Sequence, residues 1–287
     1  MTLSREQLNF FDTFGYLLIR QLFSPDEMGE IIEGFEWSIQ NYGEGRNHDG
    51  KNRTTFPGPI EHTPEMCTIL DHPSILGLIG GILGEDFNYA GGDGNYYSGN
   101  TNWHPDGNWG QLFAAKTAFY LDPLTRDTGA VRLIPGSHRS DHFIHQEQID
   151  VNNSLELFGI PPTEFPGNIA VETDPGDIVI FNHDLYHASF GGGNRRRMFT
   201  INCTRQAKTP EDLEIAHRHL KGLVNWYSAH SAGGSDFKTG AGVFYPTVID
   251  TADENRMVHL RQPMEIHGQL FPDLARDVVS QESVSDA

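Results

Sequence analysis

The chain has 287 residues, 37% of them hydrophobic and 11% aromatic, enough to bury a sizeable core, so global disorder is excluded. Lys and Arg number 20 against 39 Asp and Glu, a formal charge of −19. That is the wrong sign for a protein that grips nucleic-acid phosphates or anionic membranes.

The N-terminus has no basic stretch followed by an apolar core, and apolar runs elsewhere are short. Cys67 and Cys203 are far apart and form no C-x-x-C pair, which argues against both a disulfide framework and a thiolate zinc site. These features predict a cytoplasmic protein with no export signal and no membrane span. No feature specifies an oligomeric state.

Ser4-x-x-Gln7 and Ser24-Pro25-x-Glu27 have the form of capping boxes and predict two helices flanking an extended segment at 16–22. Met28, Ile31, Ile32, Phe35 and Ile39 recur at helical spacing in the second. The Gly/Asn/Pro-rich stretch 41–64 reads as a long surface loop or arm, and 73–83 as a third helix weakened by glycines.

From about residue 87 the pattern changes to short β-like runs at 95–97, 114–121, 130–134, 168–172, 177–181 and 196–203. With 31 glycines and 16 prolines for the corners, they imply an antiparallel sandwich or barrel. A further helix is expected after Thr209, with Leu213, Ala216, Leu220 and Leu223 on one face. The chain thus reads as one domain over 1–287: a helical part to about 86, a β core over about 87–205, and a C-terminal helix with loops over 206–287.

Three segments carry chemistry. In His104-Pro105-Asp106 an imidazole and a carboxylate two residues apart project from the same face of an extended segment, and Pro105 favours a strand end or sheet edge. The segment from Gly176 to Ser189 reads as turn, buried strand and polar exit, and offers His183 or His187 as a third ligand. Two imidazoles and a carboxylate on one face of a metal are typical of non-haem Fe(II) oxygenases, though zinc hydrolases use the same ligand types. Third, Arg195, Arg196 and Arg197 open a strand in an acidic protein and suit a carboxylate guest. Alternation favours Arg196, which shares a face with Met198, Thr200 and Asn202, whereas Arg197 shares one with Phe199, Ile201 and Cys203.

In this order the segments resemble the phytanoyl-CoA dioxygenase-like family of Fe(II)- and 2-oxoglutarate-dependent oxygenases. The likeness rests on His104-x-Asp106, on Thr128-Gly129 leading to Pro135-Gly136-Ser137-His138, on Gly176-Asp177, Phe181 and His187-x-Ser189, and on Arg196. It covers about residues 8–203, and its spacing selects His187 over His183.

The resemblance implies a mainly β fold with flanking helices, a double-stranded β-helix of the jelly-roll, cupin-like kind. It implies that His104, Asp106 and His187 bind Fe(II), and that Arg196 with Ser189 holds the far carboxylate of 2-oxoglutarate. The short Gly-rich loop before the arginines keeps Arg195 and Arg197 open for that role. Dioxygen is the second cosubstrate, and an aliphatic C–H of a small organic molecule is hydroxylated with release of succinate and carbon dioxide. Retention of the Asp106 carboxylate favours hydroxylation over halogenation, and His138 is assigned a structural turn.

Tyr96, Tyr97, Asn102, Trp103, Asn108 and Trp109 are candidate pocket residues, and 41–64 and 228–242 candidate lids. Two other readings are a jelly-roll metal or small-molecule binder without oxygenase activity, and a zinc hydrolase with Asp184 or Glu172 as base.

Overall fold

The two serine caps form as their spacing predicts. In the computed structural model, Ser4 and Ser24 each accept a backbone N–H three residues on, while the side chains of Gln7 and Glu27 reach back to the cap N–H. The structure describes residues 1–43, 48–107, 112–230 and 243–272.

The elements in chain order begin with α1 (Arg5–Phe14), β1 (Tyr16–Ile19), α2 (Pro25–Tyr42), β2 (Thr54–Pro57), α3 (Pro64–Cys67) and α4 (Pro73–Leu83). The strands β3 (Asn88–Tyr89), β4 (Asp93–Tyr97), β5 (Thr101–His104), β6 (Ala114–Tyr120) and β7 (Val131–Leu133) follow. Short helices α5 (Phe143–Gln146) and α6 (Ser154–Phe158) precede β8 (Ile169–Val171), β9 (Ile178–Asn182), β10 (His187–Ser189) and β11 (Arg196–Thr204). The chain then runs through α7 (Pro210–His230), α8 (Pro246–Asp250) and α9 (Glu254–Leu270).

The strands form two antiparallel sheets. One has the order β1-β9-β6-β11-β4-β2, with β3 also on β11, and the other β5-β10-β7-β8. This is a jelly roll with flanking helices. Alternation along β11 decides what faces what: Phe199, Ile201 and Cys203 join the core beneath α2 and α4, where Phe119 and Phe199 stack at 4.3 Å. Met198, on the other face, packs between the sheets with Tyr120, Val131, Leu133 and Phe181.

Three expectations need correction. The stretch 41–64 is not a loose arm, because β2 pairs with β4 and residues 54–62 are buried, Phe56 and Ile60 completely. Within its described residues, Pro57 ends β2, Gly58 turns the chain at φ +60° and Pro64 opens α3. Leu213 sits on the exposed side of α7, whose inward residues are Leu220, Val224 and Tyr227. Finally, the C-terminal region is more helical than its sequence suggests: α9 packs on α7 and β3 and continues through Pro263, a residue that reads as a breaker. No single described helix is long and apolar enough to cross a membrane. Most of the lid candidate 228–242 lies outside the described residues, and 228–230 is the end of α7.

Candidate metal centre and its two cavities

Strand register creates the site. His104 on β5 lies directly opposite His187 on β10, so their rings stand side by side with centroids 4.4 Å apart. Each ring donates through Nδ1 to the carbonyl two residues earlier, His104 to Asn102 at 2.7 Å and His187 to Leu185 at 2.9 Å. A carbonyl only accepts, so in the neutral form of each imidazole the proton sits on Nδ1 and Nε2 carries the lone pair.

Just past the end of β5, the chain is held by Asp106 and Gly107 N–H groups donating to the His183 carbonyl at 2.9 and 3.0 Å. The Asp106 carboxylate thereby lies 3.3 Å from His187 Nε2 and 3.9 Å from His104 Nε2. The three ligand atoms fall within 4.8 Å of one another. Two imidazole nitrogens and a carboxylate converging in this way could hold a cation, and the mix of donors suits a first-row divalent metal.

Lys116 of β6 reaches Asp106 from the opposite sheet, with Nζ 2.6 Å from Oδ2. Burial alone would raise the Asp106 carboxyl, but the charge of Lys116, with His187 and His183, outweighs it and holds the group well below the usual carboxylate range. Burial pushes His187 down to about 4 and His183 to about 3, so both rings are neutral and able to donate lone pairs. His183 faces Asn202 at 3.2 Å, not the triad.

A narrow pocket leads from the triad to Arg196 between the sheets. Arg196 is 6% exposed, and its Nη1 is buried without a hydrogen-bond partner. Gly129 and Gly192 make room for it, since a Cβ on either would lie 2.0 or 2.1 Å from Nη1. Ser189 lines the pocket and donates its hydroxyl to the Gly129 carbonyl at 2.7 Å. The guanidinium packs over the Tyr97 ring at 5.2 Å, but a buried cation whose Nη1 has no hydrogen-bond acceptor is costly unless an anion arrives to pair with it.

The neighbouring arginines are already committed. Arg195 pairs with Glu36 at 3.0 Å, and Arg197 with Asp122 at 2.5 Å and Glu36 at 3.1 Å. The pocket also contains Lys116 and Tyr120, which sequence reasoning missed. The available signal was alternation along β6, where 116, 118 and 120 share one face and Ala115 and Phe119 enter the other core.

On the other side of the triad opens a cavity of about 440 Å³, bounded by the large sheet and by α7 and α9. Tyr97 lines both spaces. The other described pocket candidates do not. Trp103 is 2% exposed in a separate cluster with Phe190 and donates Nε1–H to the Pro162 carbonyl at 2.8 Å, because its neighbour His104 takes the opposite face of β5. Tyr96 bonds to Glu36 and Arg195 beneath α2. Asn102 contributes its carbonyl to His104, and its side chain lines neither space. Asn108 and Trp109 lie outside the described residues.

His138 bonds to the Asp12 carbonyl at 3.3 Å, and Glu172 is occupied by the Arg126 N–H at 2.8 Å. Neither Glu172 nor Asp184 lines the two spaces around the triad.

The family profile described as Phytanoyl-CoA dioxygenase (PhyH) matches residues 11–198. A Caenorhabditis elegans protein described as a probable phytanoyl-CoA dioxygenase is 22% identical over 268 residues, covering 76% of this chain and 85% of the relative. Among solved structures, HygX from Streptomyces hygroscopicus with nickel and 2-oxoglutarate bound superposes with a TM-score of 0.56 at 19% identity, covering 73% of this chain and 90% of that one. The non-haem α-ketoglutarate-dependent carbocyclase SnoK from nogalamycin biosynthesis gives 0.55 at 19% identity, covering 71% and 84%. EctD from S. alaskensis with 2-oxoglutarate and 5-hydroxyectoine gives 0.55 at 17%, covering 71% and 77%.

Proposed function

The chain belongs to the phytanoyl-CoA dioxygenase (PhyH) family of Fe(II)- and 2-oxoglutarate-dependent oxygenases, and on that premise we propose that it hydroxylates an aliphatic C–H of a small organic molecule. The observation that carries this reading is the pairing of two unmet demands in one pocket: converging lone pairs that call for a divalent cation, and a buried guanidinium that calls for a carboxylate.

In this reading His104, Asp106 and His187 hold Fe(II), and Arg196 with Ser189 holds the far carboxylate of 2-oxoglutarate. When bound, the ferrous ion supplies chelation of the keto-acid end and activation of dioxygen, with oxidative decarboxylation to succinate and carbon dioxide. The protein's part is placement. The Asn102 and Leu185 carbonyls fix the tautomer and tilt of each imidazole. Arg196 presents its planar fork to a carboxylate, which sets which end of the cosubstrate faces the triad. The larger cavity receives the substrate on the triad's other side. Because the third ligand is a carboxylate, no position is left vacant for a halide, which supports hydroxylation.

The test is anaerobic addition of Fe(II) and 2-oxoglutarate. A weak visible charge-transfer band is expected from the wild type and none from His104→Ala. Substrate screening is expected to find compounds that trigger succinate release. Absence of both the band and succinate in the wild type overturns the reading.

A further inference from the structure

The larger cavity has a charged floor and an apolar wall. On the floor, Asp93 accepts from Arg53 at 2.8 Å, from Asn95 at 2.6 Å and from Thr200 at 2.6 Å. Asp106 is matched by Lys116. Every carboxylate lining the cavity is therefore already neutralised by a cation beside it, and none remains to receive an amine. The wall is built by α7 and α9, with Leu220, Leu223, Trp226 and Ile266 turned inward. Arg218 of α7 lines the same cavity, and no carboxylate lies within ion-pairing distance of it among the described residues.

We propose that the substrate is an organic monoacid whose carboxylate docks on Arg218 and whose hydrocarbon body lies along the α7–α9 wall, reaching the triad with the carbon to be oxidised. The reading rests on the oxygenase function above and adds the substrate class to it. A guanidinium offers two parallel N–H donors to a carboxylate. A single fork matches one negative charge, whereas a phosphate monoester or polyphosphate calls for several cations. The remaining volume, about 440 Å³ bordered by aliphatic and indole surface, suits a body of moderate size. Because Arg218 is on the exposed side of the cavity and His104 and Asp106 also line it, the acid enters last and the opposite end lies nearest the metal ligands.

The test uses the full chain loaded with Mn(II) and saturating 2-oxoglutarate, which does not turn over. Calorimetry compares octanoate with octanamide and 3-phenylpropanoate with 3-phenylpropanamide. At least one acid is expected to bind about tenfold or more tightly than its amide. Arg218→Gln is expected to erase that preference and Arg218→Lys to retain part of it, both with unchanged 2-oxoglutarate affinity. Equal binding of acid and amide, no acid binding, or a preference that survives in Arg218→Gln overturns the proposal. The separate titration of 2-oxoglutarate into the Mn(II) protein distinguishes the two levels. Its failure with the acid preference intact removes the oxygenase reading alone, and the converse removes only the Arg218 site.

Discussion

Arg196 is almost buried over the Tyr97 ring with its Nη1 unbonded and no ion pair to a carboxylate among the described residues, and the two glycines around it fix how far any substitution can go. If it is the cosubstrate anchor, Arg196→Ala removes a charge-assisted fork worth about 3 kcal/mol, or about a hundredfold in 2-oxoglutarate affinity. Mn(II) affinity is expected to stay close to wild type, because the imidazoles of the His104–Asp106–His187 group are oriented by the Asn102 and Leu185 carbonyls and not by Arg196. Calorimetric titration of each checks this, and equal loss of both marks a structural arginine instead. Gly129→Ala is expected to reproduce the defect from the other side: at φ +101° with its Cβ 2.0 Å from Nη1, an alanine displaces the guanidinium. At this scale the sequence is informative where a residue's role follows from its own neighbours. Alternation alone puts Arg196 with Met198 and Thr200 on the face that lines the pocket. Alternation likewise puts Lys116 on the pocket face of β6 with Ala118 and Tyr120, but its partner does not follow from that, because the contact with Asp106 runs from sheet to sheet and only the folded chain brings it about.

Among the elements, β5 is the exposed point of the site, since it is the edge strand of the smaller sheet and carries His104. Asn152, from the segment between β7 and β8, covers that edge. Its carboxamide accepts the Trp103 N–H at 2.9 Å and donates to the Trp103 carbonyl at 2.8 Å, so one side chain takes the place of a neighbouring strand. Asn152→Ala leaves both groups of Trp103 unmatched, a loss of about 1–3 kcal/mol in global stability. It also loosens the strand that orients His104. The expected result is weaker Mn(II) binding with 2-oxoglutarate affinity of the metal-loaded protein nearly unchanged; a lower melting temperature with unaltered metal affinity would show that the clamp serves stability only. The predicted runs at 114–121, 177–181 and 196–203 correspond to β6, β9 and β11, strands of five to nine residues that are buried over most of their length. The two-residue β3 and the proline-ending β2 fall below that length, and pairing with β11 and β4 rather than propensity makes them strands.

Across the whole molecule, a buried carboxylate ties α7 and the segment leading into α8 to the jelly roll, while α9 is held by its own contacts, among them Arg256 with Asp71 and Gln262 with Asn88. Glu61, fully buried in the turn after β2, accepts the hydroxyls of Tyr89 on β3 at 2.8 Å and Tyr227 on α7 at 2.7 Å, and the Tyr245 N–H at 2.8 Å. These partners are 28, 166 and 184 residues away in the chain, which is why no local pattern marks the role. Burial raises the Glu61 carboxyl from the usual 4.5 to about 7, against the opposing pull of the Tyr245 N–H and the two tyrosine hydroxyls. The adjacent His62 is pushed by burial from the usual 6.5 to about 4, which gives an opposite slope between about pH 4 and 6.5; that slope is common to the wild type and Glu61→Gln and cancels in their difference. A carboxyl raised on folding binds its proton more tightly in the folded state. Its contribution is therefore complete below about pH 4.5, where the unfolded chain is also protonated, and is lost as pH rises to about 7. Over that window the loss amounts to about 3 kcal/mol. Glu61→Gln is neutral throughout and lacks this slope, so melting temperatures of the two proteins measured from pH 4 to 8 are expected to differ by an amount that shifts against the wild type between about pH 4.5 and 7 and is constant above. Parallel curves over the whole range would mean that Glu61 holds its charge equally in the folded and unfolded chain, and that the three hydrogen bonds, not the proton, fasten α7 and the segment leading into α8.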